Sequence, residues 1–407
     1  MNLQIKSNFI GNSFKIYDSA MTINNNLYIF LEFFILSSST ISVESDSAIF
    51  IVKADSIDVN TNSTIITNYL AFFSSNSYTL DGRIYSIIYA CTIEDTSQNP
   101  SKFFNFVLPT QQINISESYL SFYQNSSMTY SMEGFISFVE QLLQMNFTII
   151  FVCESSMTFN PNFTLLGSSI GIFAENLDVF PNASISTIGM GCNNFEGPGK
   201  GTKIFNAQYE CGGNGGSYGG FNGYGFGDDL DKSELCKQFA TDFSVKYGDS
   251  FYPKYQGSGG GGYLGGYGGG VIFINILSDL LIDGMIQSDG ESLDRDECLF
   301  VNGSGAGSGG SVQIYARQIS GNGIISADGG DAFNYCGEGG GGRILVFFYN
   351  WETDTNIQSL LAWGGSISAK SGDRVIDLAN LQNMSNMSFY GTEGSNKNNF
   401  SFYFKFC

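Results

Sequence analysis

The chain has 407 residues, no histidine and a formal net charge of −20. The absence of imidazole excludes Ser-His-Asp and Cys-His catalytic relays and histidine-ligated zinc, and the acidic balance excludes the basic surface that a nucleic-acid-binding protein needs. Charged residues make up 14% of the chain, whereas 15% are aromatic and 51 are glycine. Strand-forming residues dominate and helix formers are scarce, which favours an all-β protein.

The first strong apolar run, Leu27–Leu36, is predicted to be a strand. It contains Glu32 and is shorter than the roughly 18–20 apolar residues that cross a bilayer. No other segment reaches that length without charges. We therefore expect no membrane span within the chain.

The strongest pattern is a repeat of about 20 residues. Segments 150–165 and 170–185 place apolar residues at matching positions, and the same register recurs at 50–67 and, less strictly, at 272–288 and 312–327. Within each copy the apolar residues alternate, which puts them on one face of a strand. A unit this short cannot close its own core, so we predict that successive copies stack as parallel strands about 4.8 Å apart in a β-helix, or solenoid.

One turn position in each copy holds Asn or Asp, namely Asn62, Asn162, Asn182, Asp283 and Asn322. These residue types tolerate left-handed backbone and cap turns with their own side chains. We therefore expect a ladder of such residues along one edge of the stack.

Glycine-rich segments separate the later copies. The largest is an insertion at about 190–269, and the clusters Gly303–Gly310 and Gly337–Gly342 lead directly into apolar strands. Glycine permits tight corners and close approach of backbones, so we predict ordered, tightly packed loops. The earlier segment 131–144 has apolar residues at helical spacing and is predicted to be one short helix.

The segments 309–330 and 339–346 resemble the Gly-rich repeats of large surface proteins of ciliated protists, and repeats in some bacterial adhesins. The resemblance implies the pectin-lyase-like fold, a right-handed, single-stranded parallel β-helix. With it we expect one continuous domain over 1–407, with a strand-rich C-terminal region at 344–407. The resemblance also implies a place outside the cell or on its surface.

The chain contains eight cysteines and no CxxC pair, which disfavours zinc ribbons and thioredoxin motifs. An even number fits an oxidising compartment, and the sequence does not select a pairing. The predicted disulfide residues are Cys91, Cys153, Cys192, Cys211, Cys236, Cys298, Cys336 and Cys407.

N-glycosylation sequons form the main set of candidate sites, and those at the shared turn position would line one face of the stack. The acceptor residues are Asn62, Asn114, Asn125, Asn146, Asn162, Asn182, Asn302, Asn383, Asn386 and Asn399.

Two acidic clusters are candidate calcium sites, because calcium takes six to eight oxygen ligands. They comprise Asp228, Asp229, Asp231 and Glu234, and Asp289, Glu291, Asp294, Asp296 and Glu297. Neither matches a known calcium motif, and solvated loop acids are the favoured interpretation. We predict no cofactor and no metal, with calcium as the alternative.

Catalysis by a carboxylate pair was weighed at Asp328 and Asp331, which lie close in sequence within Gly-rich turns. Fold does not imply function, and we predict a protein that is not an enzyme. The leading hypothesis is an extracellular structural glycoprotein, a head-to-tail homopolymer that forms a surface filament and carries covalent glycans. The alternatives are an adhesin that binds carbohydrate through exposed aromatic residues, and a polysaccharide lyase or hydrolase.

Overall fold

A computed structural model describes residues 9–43, 48–86, 91, 147–202, 205–206, 209–210, 212–223, 225, 246–249, 253–294, 298, 304–348, 363–375 and 402–405. The described residues contain strands and turns and no α-helix. The helix predicted at 131–144 lies outside them. The strands are, in chain order, β1 (Phe9–Ile10), β2 (Ser13–Tyr17), β3 (Ala20–Ile23), β4 (Leu27–Ser37), β5 (Thr40–Val43), β6 (Ile49–Val59), β7 (Thr64–Thr67), β8 (Tyr69–Leu80), β9 (Arg83–Ser86), β10 (Ile149–Phe159), β11 (Thr164–Leu166), β12 (Ser169–Val179), β13 (Ser184–Ser186), β14 (Phe205–Asn206), β15 (Tyr209–Glu210), β16 (Val271–Ile276), β17 (Asp279–Ile282), β18 (Met285–Gln287), β19 (Ser311–Ala316), β20 (Gln318–Ser320), β21 (Ile324–Ser326), β22 (Ala332–Phe333), β23 (Arg343–Phe348), β24 (Ser366–Ser368), β25 (Arg374–Val375) and β26 (Phe402–Lys405).

Two large parallel sheets organise these strands. The first has the order β1-β4-β6-β8-β10-β12-β16-β19-β23-β26, with β2, β17 and β20 alongside that path, and the second has the order β24-β21-β18-β13-β11-β9-β7-β5-β3. The chain therefore lays strands into the first sheet, turns, adds one strand to the second sheet, and returns. We call one such passage a coil and the whole arrangement the two-sheet stack.

The apolar core lies between the two sheets. Inward-facing residues alternate along each strand, as in β6, where Phe50, Val52, Ile57 and Val59 are fully buried. They join residues of the second sheet, such as Ile65, in one continuous cluster. Burying a side chain of this size contributes about 1.5–3 kcal/mol, so the coils hold one another rather than folding singly.

The predicted fold, a right-handed single-stranded solenoid, is wrong in that form. The described strands build two large, separate parallel sheets. The described residues contain no α-helix, and the short helix predicted at 131–144 lies outside them. The arrangement fits a parallel β-helix or a similar architecture. The period-two pattern predicts parallel stacking in register, but it does not say how many sheets the strands form, because the turn that moves the chain between sheets leaves the alternation unchanged.

The predicted repeat register is confirmed for most copies. Ile272 pairs with Ile170, and Leu280 with Leu177. In β10 the prediction is off by one residue, because Ile149 rather than Ile150 lies opposite Ile170. A register shift between Cys153 and Ser156 restores the predicted alignment in the second half of the strand. A β-bulge inserts one residue that an ungapped sequence comparison cannot see.

The glycine-rich segments form an ordered layer, as predicted. Their backbones bond to one another, as in Gly191 N to Gly268 O at 2.7 Å and Gly340 N to Gly216 O at 2.8 Å. A Cβ at Gly260 would collide with the carbonyl oxygen of Gly305. Such close approach is open only to glycine. We call these segments, described over 191–202, 212–223, 257–270, 304–310 and 337–342, the glycine layer.

Candidate functional site

Three of the predicted glycosylation residues share one corner of the two-sheet stack. Asn62, Asn162 and Asn182 are exposed and have left-handed backbones, with φ of 62°, 72° and 65°. Each follows the long strand of its coil and precedes the strand of the second sheet. The other predicted acceptors lie outside the described residues, namely Asn114, Asn125, Asn146, Asn302, Asn383, Asn386 and Asn399.

A tight turn holds each of these asparagines. In the last of them, the amide of Ala183 donates to the carbonyl of Phe180 at 3.0 Å, and Pro181 and Asn182 are the central residues. Proline followed by a left-handed residue is the signature of a type II turn. The turn therefore leaves the asparagine exposed, at a position that the sequence predicts to accept an N-linked glycan.

Aspartates form a second ladder, at the end of the second-sheet strands. Asp289 follows β18, and its carboxylate accepts the amide of Asp328 at 2.7 Å and the hydroxyl of Ser326 at 2.9 Å. One coil further, the carboxylate of Asp328 accepts the amide of Lys370 at 2.8 Å. Each carboxylate thus caps a backbone amide of the following coil, a charge-assisted bond that fixes the spacing of the coils.

Burial shifts the pKa of the first carboxyl group in this ladder. It raises the pKa of Asp289 to about 6, and the nearby carboxylate of Asp328 adds to the effect, while hydrogen bonds from Asp328, Ser326 and Gln287 oppose it. Lys370 lies 3.4 Å from Asp373 in an exposed position; partial burial lowers the pKa of this lysine, but the carboxylates of Asp373, Asp328 and Asp331 together raise it. The ladder therefore has a partly buried carboxylate at one end and a lysine among several carboxylates at the other.

Both carboxylates of the candidate catalytic pair, Asp328 and Asp331, accept backbone amides of the following coil. Asp331 accepts the amide of Asp373 at 2.7 Å, while Asp328 bonds to Lys370 and Ser368. Of the acidic clusters weighed for calcium, the structure describes Asp289, Glu291 and Asp294; Glu291 accepts the amide of Tyr267 at 2.8 Å. Within the described ranges, no three acidic or cysteine side chains are grouped closely enough to hold a metal ion. Asp228, Asp229, Asp231, Glu234, Asp296 and Glu297 lie outside the described residues.

The aspartate ladder was not predicted from the sequence. A signal existed: Ser288-Asp289-Gly290 and Ala327-Asp328-Gly329 each follow a short strand at the same distance. Part of this region was interpreted only as solvated loop acids, because sequence spacing alone does not show that a carboxylate reaches the amide of the next coil.

Among the described cysteines, two disulfides are formed, Cys91–Cys192 and Cys298–Cys336. Cys153 was predicted to be in a disulfide, which is wrong: it is a buried free thiol in the core between the sheets. Burial raises its pKa to about 11. The even count of cysteines suggested complete pairing, but a thiol on an inward-facing strand position packs as a small apolar side chain. Cys211, Cys236 and Cys407 lie outside the described residues.

In the part of the chain that the structure describes, the first coil has no strand beyond β1 and β2 in the first sheet or beyond β3 in the second, and we call this the open edge. Within residues 9–43, β2 pairs only with β4, and β3 pairs only with β5. Phe14 of β2 is partly buried and stacks on Phe34 with ring centroids 5.9 Å apart. The column of core rings continues from Phe34 to Phe72 and Phe151. The interior of the stack therefore reaches this edge.

Comparison with known proteins supplies no assignment for the chain. No family model matches it, and neither a curated protein nor a solved structure does. In the part of the chain that the structure describes, no helix is long and apolar enough to cross a membrane. The disulfides are compatible with an extracellular location.

Proposed function

We propose that this chain is a non-enzymatic extracellular structural glycoprotein that assembles end to end into a filament. The observation that carries the proposal is the open edge of the first described coil, where Phe14 continues the core column of Phe34 and is only partly buried. Unpaired strand edges are templates for pairing with another chain, and stacked coil proteins are either capped or joined at their ends.

The edge has the chemistry that a contact between copies requires. Strand β2 alternates between exposed and half-buried residues, and Phe14 and Ile16 face the core side. A strand added beside β2 would gain backbone hydrogen bonds and would bury both side chains. At the other end of the second sheet, β24 pairs on one side only within the described residues, and Ile367 packs against the core from there.

The glycosylation corner supports the same assembly. Asn62, Asn162 and Asn182 lie beside the strands rather than at the open edge. Glycans at these positions would hinder contact between the sides of neighbouring stacks and leave the ends accessible. Because glycans would cover the sides of the stack and leave its ends free, copies would add to the filament only at the ends. The resemblance to surface proteins of ciliated protists gives the same expectation.

Electrostatics sets a condition on assembly. A chain with a formal net charge of −20 repels its copies, and salt screens that repulsion over about 10 Å at 0.1 M. The filament should therefore grow more readily as ionic strength rises. This dependence separates stacking through the apolar edge from association through ion pairs, which salt weakens.

The test compares wild type with Phe14→Lys by light scattering and electron microscopy of the full chain. A charge placed on the inward face of an edge strand blocks pairing, and lysine can reach solvent from this partly buried position. We expect concentration-dependent filaments from wild type and a concentration threshold roughly 10–100-fold higher for Phe14→Lys, the equivalent of about 1.5–3 kcal/mol of lost burial. The matched control is Tyr17→Lys, which places the same charge on the exposed face of the same strand. A monodisperse wild-type monomer at high concentration would overturn the proposal.

A carbohydrate-binding module is the second candidate, and exposed aromatic residues of the glycine layer favour it. The third alternative, a polysaccharide lyase or hydrolase, has no such support. Its candidate carboxylates, Asp328 and Asp331, are engaged with backbone amides of the neighbouring coil.

A further inference from the structure

Two adjacent turns at the rim of the glycine layer expose large apolar side chains. The turn 193–196 closes with the amide of Glu196 donating to the carbonyl of Asn193 at 3.0 Å, and the turn 262–265 closes with Gly265 donating to Gly262 at 3.1 Å. Their central positions include Phe195, Tyr263 and Leu264, which are 42%, 88% and 54% exposed. We call these three residues the aromatic tip.

One side chain ties the two turns together. The amide nitrogen of Asn194 donates to the carbonyl oxygens of Gly262 at 3.2 Å and Tyr263 at 3.1 Å. The amide of Phe195 donates to the carbonyl of Gly260 at 3.0 Å. The backbones that carry Phe195 and Tyr263 are therefore fixed to each other.

Contacts with the glycine layer also fix the position of the turn 262–265. The amide of Leu264 donates to the hydroxyl of Ser304 at 3.0 Å, and a Cβ at Gly265 would lie 2.6 Å from the carbonyl oxygen of Gly260. The glycine layer leaves no room for a side chain on its inner side, so the tip side chains point outward. Rigid aromatic groups on a fixed scaffold bind a ligand with little loss of conformational entropy.

Phe195 is strained as well as exposed. Its φ is 59°, and a left-handed backbone costs about 1–2 kcal/mol for a residue with a bulky side chain. Glycine would remove both this strain and the exposed ring, and glycine occupies the left-handed positions Gly197 and Gly262 nearby. Strain of this kind is a reason to ask what the side chain contacts.

We propose that the aromatic tip is a binding surface for uncharged pyranose sugars, which stack their apolar face on an aromatic ring. The tip offers three exposed side chains, whereas a stable protein interface buries about 800 Å² on each partner. The net charge of −20 disfavours anionic membranes and acidic glycans. Neutral sugars need neither a large area nor a basic surface. This proposal does not depend on filament assembly.

The test is saturation-transfer NMR and calorimetry on the intact chain, with its own N-glycans removed, using chitotriose, mannotriose and cellotriose as probes. We expect millimolar binding of at least one probe, with saturation transferred to ring protons of the sugar. Tyr263→Ala should weaken that binding at least about tenfold. Tyr17→Ala, an equally conservative loss of a 53% exposed ring on β2, should leave binding unchanged.

Phe195→Gly provides a second measurement that separates binding from folding. It should raise the melting temperature slightly, because strain is relieved, and it should also weaken sugar binding. A residue with a purely structural role would lower stability instead. Absence of binding for all three probes, or binding that Tyr263→Ala leaves intact, would overturn the proposal. Binding of zwitterionic lipid vesicles or self-association that depends on Tyr263, without sugar binding, would overturn it in favour of a different partner.

Discussion

Asn162 and Asn182 occupy the same position in the turns of two consecutive coils, and the residues that complete their sequons, Thr164 and Ser184, pair with each other in the second sheet. The middle residues of the two sequons, Phe163 and Ala183, are fully buried. The asparagines are exposed, but the rest of each sequon is already part of the packed stack.

This geometry predicts that glycans are attached before the coils pack. A transferase that must bind the sequon in an extended form can reach it only on the unfolded chain. We expect protein secreted by eukaryotic cells to carry glycans at Asn162 and Asn182, and folded, unglycosylated protein to be a poor acceptor in vitro until it is unfolded. Peptide mass spectrometry measures the occupancy.

The control for that experiment is Thr164→Ala, which removes the sequon of Asn162 and leaves the turn residue in place. Glycosylation should be lost at Asn162 alone. Equal modification rates for folded and unfolded chains would show that packing does not protect these sites.

The turn itself can be tested in unglycosylated protein. Asn162→Gly should leave the free energy of unfolding unchanged or slightly higher, because glycine adopts φ of 72° without strain. Asn162→Ala should lower it by about 1 kcal/mol, since alanine is disfavoured there. Denaturant titration measures the difference. Equal stability of the two variants would contradict the left-handed assignment.

Much of the stack could be predicted from sequence because its cause is local. Alternating apolar residues such as Ile272 and Ile274 fix which face is buried, and an Asn or Asp at each turn marks where the chain bends. The number of sheets could not be predicted. Val179 lies in β12 of the first sheet and Ile185 in β13 of the second, yet both belong to the same pattern of alternating buried residues. The one-residue error in β10 has a similar origin, a bulge after Cys153.

The candidate sites divide in the same way. The corner asparagines were found because a sequon and a turn are both properties of a few adjacent residues. The contacts of Asp289 with Asp328, and of Asn194 with Tyr263, were missed because they join residues far apart in the chain. Contacts of this kind depend on how insertions fold back, which periodicity does not encode.

The glycine layer should be intolerant of even one methyl group. Gly260→Ala would place a Cβ against the carbonyl oxygen of Gly305, a backbone atom that cannot move alone. Overpacking costs about 1–3 kcal/mol, and thermal unfolding should report a destabilisation at the upper end of that range.

Gly364→Ala is the matched control for this change. Gly364 is exposed, and its added Cβ would meet only the side-chain end of Asn322, which can rotate away. Its effect should stay within about 0.5 kcal/mol. If Gly260→Ala were equally mild, the layer would have to be looser than its hydrogen bonds indicate.

Cys153 should not react with thiol reagents in the native protein. Burial excludes reagents and raises the pKa of its thiol to about 11, so almost no thiolate exists at pH 8. We expect iodoacetamide to label Cys153 only after denaturation, as judged by peptide mapping. Labelling of Cys153 under native conditions would contradict its burial between the sheets. Cys153→Ala should fold and should cost no more than the loss of a small buried side chain.

Asp289 should make stability depend on pH. Its pKa is raised from 3.8 to about 6 in the folded protein, so its contribution to stability is fully present below pH 3.8 and is lost as pH rises through 6. The loss amounts to at most about 3 kcal/mol, since one pKa unit corresponds to about 1.4 kcal/mol. Asparagine can keep the hydrogen bond from the amide of Asp328 without the buried charge. We therefore expect Asp289→Asn to gain stability relative to wild type at pH 7.5, and this gain to shrink towards pH 4.

The measurement is the difference in the free energy of unfolding between Asp289→Asn and wild type at several pH values, which cancels the titration of other carboxylates. Asp331→Asn is the control, because Asp331 accepts a backbone amide in the same ladder from an exposed position. The pH dependence of Asp289→Asn is read against the difference that this second variant shows under the same conditions. A difference for Asp289→Asn that is constant from pH 4 to pH 7.5 would mean that burial does not perturb this carboxyl group, and that the ladder stabilises the coils without a cost in buried charge.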